Sequence, residues 1–574
     1  MATSDKKISL LQRYFGFMQR RSISDRLLFH VALIAVLVGV IATALQINSQ
    51  YLTTVPTNGG TLVEGIVGTP RFVNPVLAIT RADHDMVALI YSGLLKLDEH
   101  GALVNDIAES VELSEDGRTY HITLRNDVRF HNGTPLTARD VAYTIALIQN
   151  PDLKSPLRGN WDGVLVEELG EHELNIVLEE AYAPFIENLT IGILPRDIWD
   201  SLPTEQLPFS QHNTEPIGTG PYQIDSVLRS KSGLINAYKL RAYDHSNLNP
   251  NITTLVFNFY QNENELLTAL ADKQISGTPS MTIETLSSVD TETYNILQSP
   301  LPRVFTIYFN QNKSVILRNQ AVREALTAAV DRQKLVDEVL GGFGIPTQTP
   351  VPSGFLPVES TNASGTEQIL RPESILVNGG WKKTEEGFWE KEIDEEVVRL
   401  SVTLTTANTP LFENISLFVK KSWEELGVEV SIEQYEQTDL VQGIIRPRDF
   451  QALLFGADIG RSIDLYPFWH SSQKDDPGLN IARYTNIDAD AYLKDIRVQT
   501  DMEKRNTAIH AFEALIEEDT PAVFLFVPTF TYVLDKNVST TPIERLSKPS
   551  ERFANIAQWH IRSNALWPIF SQTE

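Results

Sequence analysis

Ser471-Ser472-Gln473-Lys474 is the stretch whose residue types and spacing best fit a nucleophile beside its base. It matches the S-x-x-K pattern of penicillin-binding enzymes, in which the lysine helps to deprotonate the serine. The companion K-T-G is missing, because Lys383-Thr384 is followed by Glu385. Two fixed positions in four also arise often by chance in a chain of 574 residues. The eleven histidines are scattered, with no H-x-H or H-E-x-x-H pair to hold a catalytic metal. There is no G-x-S-x-G elbow and no P-loop, and Gly342-Phe343-Gly344 lacks the third glycine of a dinucleotide fingerprint. The absence of cysteine removes disulfides, thiolate zinc sites, cysteine nucleophiles, iron–sulfur clusters and an N-terminal lipid tether in one step. Acidic residues are abundant, but abundance specifies no geometry for a carboxylate pair. The residues give no positive case for catalysis and call for no cofactor.

Charge and hydropathy then say where the chain sits. The net charge is −26, which argues against a nucleic-acid partner, since phosphate binding needs a basic surface. Residues 1–26 carry six basic and two acidic side chains, a net +4, so the remainder carries −30. Leu27 to Leu45 follows without a charged residue, and 19 residues at 1.5 Å each nearly span a hydrocarbon core of about 30 Å. The basic leader keeps the N-terminus cytoplasmic and places everything beyond Gln46 outside. Ala42-Thr43-Ala44 has the form of a signal-peptide cleavage site, but the leader is long and the apolar run exceeds the usual one. An uncleaved anchor is the favoured reading. The polar stretch after it, with Pro56 and Asn58-Gly59-Gly60, reads as a flexible tether.

The rest alternates short β-branched runs with helical stretches, the pattern of α/β lobes. Thr61-Leu62-Val63 and Thr119 to Leu124 read as strands, and Ser114 to Gly117 as the turn before the second. Asp140 to Gln149 reads as a helix capped by Thr137. Helical spacing predicts one helix over Asn319 to Leu340, ended by Gly341-Gly342. Phe412 to Leu426 reads as a helix closed by Gly427 and followed by the strand Val428 to Ile432. The charged segment Lys382 to Glu396 reads as a solvated hairpin.

Several segments, taken in order, resemble the extracellular family 5 solute-binding proteins of peptide and nickel ABC importers. They are Gly59 to Gly65 followed by Asn74-Pro75-Val76, then Tyr91 to Asp98, then Ala108-Glu109-Ser110 before Asp116 to Tyr120, then Leu124 to Val141. Gly218 to Tyr222, and Val322 to Leu326 with Ala329 to Arg332, continue the order. The Phe130 to Val141 stretch reads as architecture: a strand, a turn and a capped helix. The resemblance implies an α/β, periplasmic-binding-protein-like clamp of two lobes with an extra inserted domain, preceded by one transmembrane helix. On this chain that divides into a basic leader 1–26, an anchor 27–46 and a linker 47–59. The first lobe takes 60–104, 215–302 and 530–574, the inserted domain 105–214, and the second lobe 303–529. The crossings at Arg303 to Asn310 and Val527 to Thr531 become hinge candidates.

Peptide-binding members of the family fix the ligand's ammonium with an acid in a segment resembling G-W-x-A-D-Y-x-D-P. The corresponding stretch is Gly456 to His470; it lacks the tryptophan, carries two extra residues, and has Leu465 where proline is common. The resemblance implies Asp464, ahead of Asp458, as the acid, although either also suits a turn or a helix cap. Tyr466, Phe468 and Trp469 offer an apolar wall or belong to a core. Asn310 falls at the lobe crossing, where its amide suits a peptide backbone, and Asn74 lies on the ligand-side loop. The implied role is a membrane-anchored extracytoplasmic protein that captures a peptide or similar small solute by closure. It would hand that solute to the permease subunits of an ABC importer. The alternatives are an anchored cell-wall enzyme of penicillin-binding type, and a receptor or scaffold that kept the fold without transport.

Overall fold

The structure, a computed structural model, describes residues 22–51, 53–244, 249–356 and 371–566. Most of the basic leader therefore lies outside the described residues. The chain divides into two units, one made of the two ends of the chain and one spanning Gly59–Ile561.

In the first unit, one helix runs over Ile23–Tyr51, and its Ile23–Ala44 part has mean hydropathy 2.6 with its apolar side chains exposed. It is the one described helix long and apolar enough to cross a membrane. The flexible tether read from the sequence takes a different form here. The helix continues to Tyr51, and Thr53–Thr57 is a strand paired antiparallel with Arg562–Leu566. Thr53, Thr54, Val55 and Thr57 are β-branched and suit a strand, but the partner lies some 500 residues away and leaves no local trace.

In the second unit, ten strands form one mixed path. In order they are Glu429–Tyr435, Ser401–Ala407, Ala452–Asp458, Arg303–Phe309, Ala522–Asp535, Gly277–Thr278, Thr61–Val67, Thr254–Tyr260, Ile235–Ala242 and Tyr222–Arg229. The Ala522–Asp535 strand pairs with Arg303–Phe309 at its start and with Tyr294–Pro300 and Gly277–Thr278 towards its end. Buried apolar residues follow that division. Phe305, Ile307 and Phe309 lie in one cluster with Trp423, while Val304 and Tyr308 face another with Trp469, the alternation a strand buried on both faces requires. A third cluster joins Leu62 and Leu255 to Tyr120, Ile122 and Trp161. The antiparallel sheet of Ala108–Leu113, Thr119–Leu124, Glu173–Val177 and Leu165–Glu168 thus shares its core with the first strands.

Local rules account for the helices. Ala138–Gln149 starts at a capping box between Thr137 and Asp140. Pro410–Leu426 ends where Gly427 takes φ 102°, a left-handed C-cap. The single helix expected over 319–340 is two, Gln320–Ala328 and Arg332–Val339. Asp331 breaks it: its carboxylate accepts from the Lys334 amide at 3.0 Å, so the residue caps a new helix and does not continue the old one. The charged segment forms a small antiparallel sheet of Lys382–Lys383, Trp389–Ile393 and Glu396–Arg399.

The stretches that carried the resemblance pack on one another. The His131 amide donates to Gly218 O at 2.8 Å, the Gly218 amide donates to His131 Nδ1 at 3.3 Å, and His131 Nε2 lies 3.1 Å from Gly220 O. Burial holds this imidazole at a pKa of about 4, so it is neutral, and its partners fix the Nε2–H tautomer. Gly218 is required there, because a Cβ would stand 2.0 Å from Ile90 O, a backbone atom that cannot retreat. Gly218→Ala is therefore expected to destabilise the protein by about 1–3 kcal/mol in urea melts. Gly443→Ala, which meets nothing within 4 Å in the helical turn Leu440–Ile445, should stabilise it by roughly 0.5–1 kcal/mol.

Candidate functional site

The strand Ala452–Asp458 runs out into a loop, Ile459 to Leu465, whose polar side chains reach the half built on Thr61–Val67. Arg461 donates to Gly101 O at 2.8 Å and pairs with Glu551 at 2.5 Å, both side chains being largely buried. The Ser462 hydroxyl donates to Glu187 Oε1. Tyr182 donates its phenolic proton to Asp464 Oδ2 at 3.1 Å. The loop is held in place from behind. Ile463 adopts φ 52°, costly for a β-branched residue, and the buried Arg505 donates to the carbonyls of Ser462, Ile463 and Ile496 around it.

Electrostatics commit the Asp464 carboxylate. Arg497 Nη2 lies 3.1 Å from Oδ2, and the Tyr466 amide donates to Oδ1 at 3.2 Å. The Arg497 guanidinium also sits over the rings of Tyr182 and Tyr466, at 5.1 and 4.4 Å from their centroids. Burial raises the Tyr182 phenol well above its ordinary pKa, and the Asp464 charge adds to this, so the phenol stays a donor. Burial also raises the Glu187 carboxyl, against the opposing effects of the Ser462 hydroxyl and the Arg461 charge.

Beside this contact lies a cavity of about 360 Å³. Its walls come from the helix Arg81–Ile90 through His84 and Val87, from Tyr91, Trp161 and Phe553, and from Glu187 and Arg461. Burial lowers the His84 pKa. Lys96, also on the wall, is paired with Asp106 at 3.4 Å. Behind the wall the buried Arg552 lies between two buried carboxylates, Glu64 at 3.1 Å and Asp85 at 2.8 Å, with its guanidinium 4.0 Å from the Phe553 ring centroid. This pins the Pro549–Phe553 turn to the first strand and the first helix of the unit.

Of the six residues expected at a site, Asp464 and Tyr466 meet at the crossing loop, and none of the six lines the cavity. Asp458 is exposed and paired with Arg303 at 3.0 Å. Trp469 is buried among Tyr308, Tyr484, Phe512 and Phe524. Asn310 is buried in the turn after its strand, donating to Arg448 O at 2.8 Å and accepting from the Asn312 amide at 3.2 Å. Asn74 accepts from the Val76 amide at 2.9 Å and donates to Asn213 Oδ1 at 3.2 Å. Tyr466 stacks on His470 at 4.1 Å, and Phe468 packs at the edge of the Trp469 cluster. The Ser471 hydroxyl donates to Asp490 at 2.5 Å, and its amide to the same carboxylate at 2.8 Å, so this serine is committed to a turn. Among the described residues no three His, Asp or Glu side chains converge as a metal site. Arg461, Tyr182, Glu187, Arg497 and Glu551 were not legible as site residues. The one sequence signal was the departure of the Gly456 to His470 segment, which carries Arg461 and Ser462, from the family pattern it resembles.

The model of the bacterial extracellular solute-binding proteins, family 5 Middle, matches residues 102–478. The chain belongs to this family. The oligopeptide-binding protein AppA of Bacillus subtilis (strain 168) is 27% identical over 519 residues, covering 88% of this chain and 92% of that protein. The solved structure of AppA with a nonapeptide covers 88% of this chain and 100% of its own, at TM-score 0.63 and 26% identity. The nickel-binding periplasmic protein of Escherichia coli (strain K12) is 26% identical over 404 residues, 67% of this chain and 72% of that one. The unliganded open form of MppA, a periplasmic murein tripeptide binding protein, shares the fold at TM-score 0.74 and 20% identity, over 88% and 98% of the two chains. The architecture is the two-lobed, periplasmic-binding-protein-like fold of this family, and these relatives are binding proteins.

The buried ion cluster yields a pH dependence. Burial, outweighing the attraction of Arg552, raises the Glu64 pKa from 4.5 to about 7. The folded state then binds this proton more tightly than the unfolded chain does. Its contribution to stability is complete below about pH 4.5 and is lost as pH rises through 7. Urea melts should show stability falling as pH rises from 4.5 to 8, and Glu64→Gln should flatten that part of the curve. An unchanged slope in the variant would assign the dependence to other groups.

Proposed function

We propose that the chain is a membrane-anchored solute-binding protein that captures a peptide by lobe closure and delivers it to the permease of an ABC importer, without catalysis. The observation that supports this reading is the contact of the loop 459–464 with Gly101 and Glu551 beside a cavity, in a chain of family 5. Peptide is the favoured cargo because AppA, similar over most of both chains, is an oligopeptide-binding protein. The division into first lobe, inserted domain and second lobe is adopted as read from the sequence, with the hinge where Pro300 to Arg303 and Val527 to Thr529 run side by side.

In this mechanism Arg461, Ser462 and Asp464 act as the catch. Their partners Glu551, Glu187 and Tyr182 lie on the other side, so each bond exists only in the closed state. A solute that touches both faces shifts the population in the same direction. The Ile23–Ala44 helix is the anchor, keeps the large unit extracytoplasmic, and raises the local concentration of the clamp near a membrane partner.

The test uses the full chain purified in detergent. Native mass spectrometry should show a co-purified peptide, and small-angle scattering should show compaction when a peptide pool is added. Arg461→Ala should retain peptide about tenfold less well and compact less. A verified ligand that produces no compaction would sink the clamp. A mature chain that begins at Leu45 would sink the anchor and leave the clamp standing.

A further inference from the structure

We infer that Trp567-Pro568-Ile569-Phe570 is a second membrane contact, seated at the lipid–water interface by the strand pairing that follows the anchor helix. This rests on the anchored reading of the chain and adds to it a site whose partner is the lipid surface. The register of the pairing decides the placement. Thr57 pairs with Arg562 and Thr53 with Leu566, so the second strand runs back towards the helix Ile23–Tyr51. The chain is therefore delivered, after Leu566, to the point where the helix stops. Both connections to the unit Gly59–Ile561 pass through this pair. The large unit is then carried at the membrane by two segments of chain, not one.

Lengths match a bilayer. The apolar span of the helix ends at Ala44, and Leu45 to Tyr51 add about 10 Å at 1.5 Å per residue. The headgroup layer on one side is about 5–8 Å thick, so the helix carries the strand pair just beyond it. Four extended residues cover about 13 Å, enough for Trp567 to Phe570 to return to the hydrocarbon edge. Composition suits that depth, since tryptophan and phenylalanine rings favour the boundary between headgroups and acyl chains. Pro568 has no N–H to give to a ladder, which turns the segment out of the strand pairing. Ser563 to Thr573 contains no charged side chain to hold it in water.

The experiment reconstitutes the full chain in phosphatidylcholine vesicles whose acyl chains carry bromine near the headgroup, a contact quencher of tryptophan. The other seven tryptophans are buried in the unit Gly59–Ile561, so quenching by lipid reads Trp567. The wild type should lose up to about one eighth of its emission, the share of one tryptophan in eight. Trp567→Phe should lose none. Replacing Thr53–Thr57 with glycine and serine removes the β-branched strand, and should abolish the quenching while the chain still floats with the vesicles. A wild type that floats with the vesicles and is not quenched overturns the inference and leaves the anchor standing. Quenching that persists in Trp567→Phe or in the strand replacement also overturns it. A chain that does not float with the vesicles removes the anchor and the inference together.

Discussion

Backbone pairing on the Ala522–Asp535 strand is the constraint on which the rest of the structure depends. Its first residues complete the sheet of Arg303–Phe309 and Gly344–Pro346, and its last residues complete that of Tyr294–Pro300 and Gly277–Thr278. Every one of these amides needs a partner once water is excluded, so the strand cannot leave either sheet. The two sets of pairs adjoin at Pro528 and Thr529, where the strand passes from Gly344–Pro346 to Tyr294–Pro300. The side chains that meet in the contact around Arg461 are polar and few, and the Arg461–Glu551 pair among them is largely buried. Such bonds separate at a cost of a few kcal/mol, the scale on which a bound solute shifts an equilibrium.

The elements with a local cause were the legible ones. The Thr137–Asp140 box, the left-handed Gly427 and the alternation of Tyr120, Ile122 and Leu124 each mark their element in the sequence. The break at Asp331 was hidden because apolar spacing runs through it, while one carboxylate prefers a cap to a helix interior. The pairing of Thr53–Thr57 with Arg562–Leu566 was hidden for the opposite reason, since nothing near either strand specifies the other. The contacts of the candidate site are long-range as well. Tyr182 and Asp464 stand 282 residues apart, and Arg461 and Glu551 stand 90 apart. Trp469 shows the limit of reading by residue type: an aromatic in a loop-like stretch suits a ligand wall or a core, and its four aromatic neighbours place it in the core.

Charge matching gives the crossing loop its logic. The chain outside the leader is strongly acidic, and a buried cation beside the loop is seldom left with a single bond. Arg505 spends its guanidinium on three carbonyls that hold the loop, Arg497 is shared between Asp464 and two rings, and Arg552 binds two carboxylates. Each arrangement fixes an acid or a backbone turn in place. Arg461, Ser462 and Asp464 meet Glu551, Glu187 and Tyr182, and Asp464 is held by Arg497 as well. A residue's position in a motif does not by itself give its role, which rests on what the side chain meets in the fold.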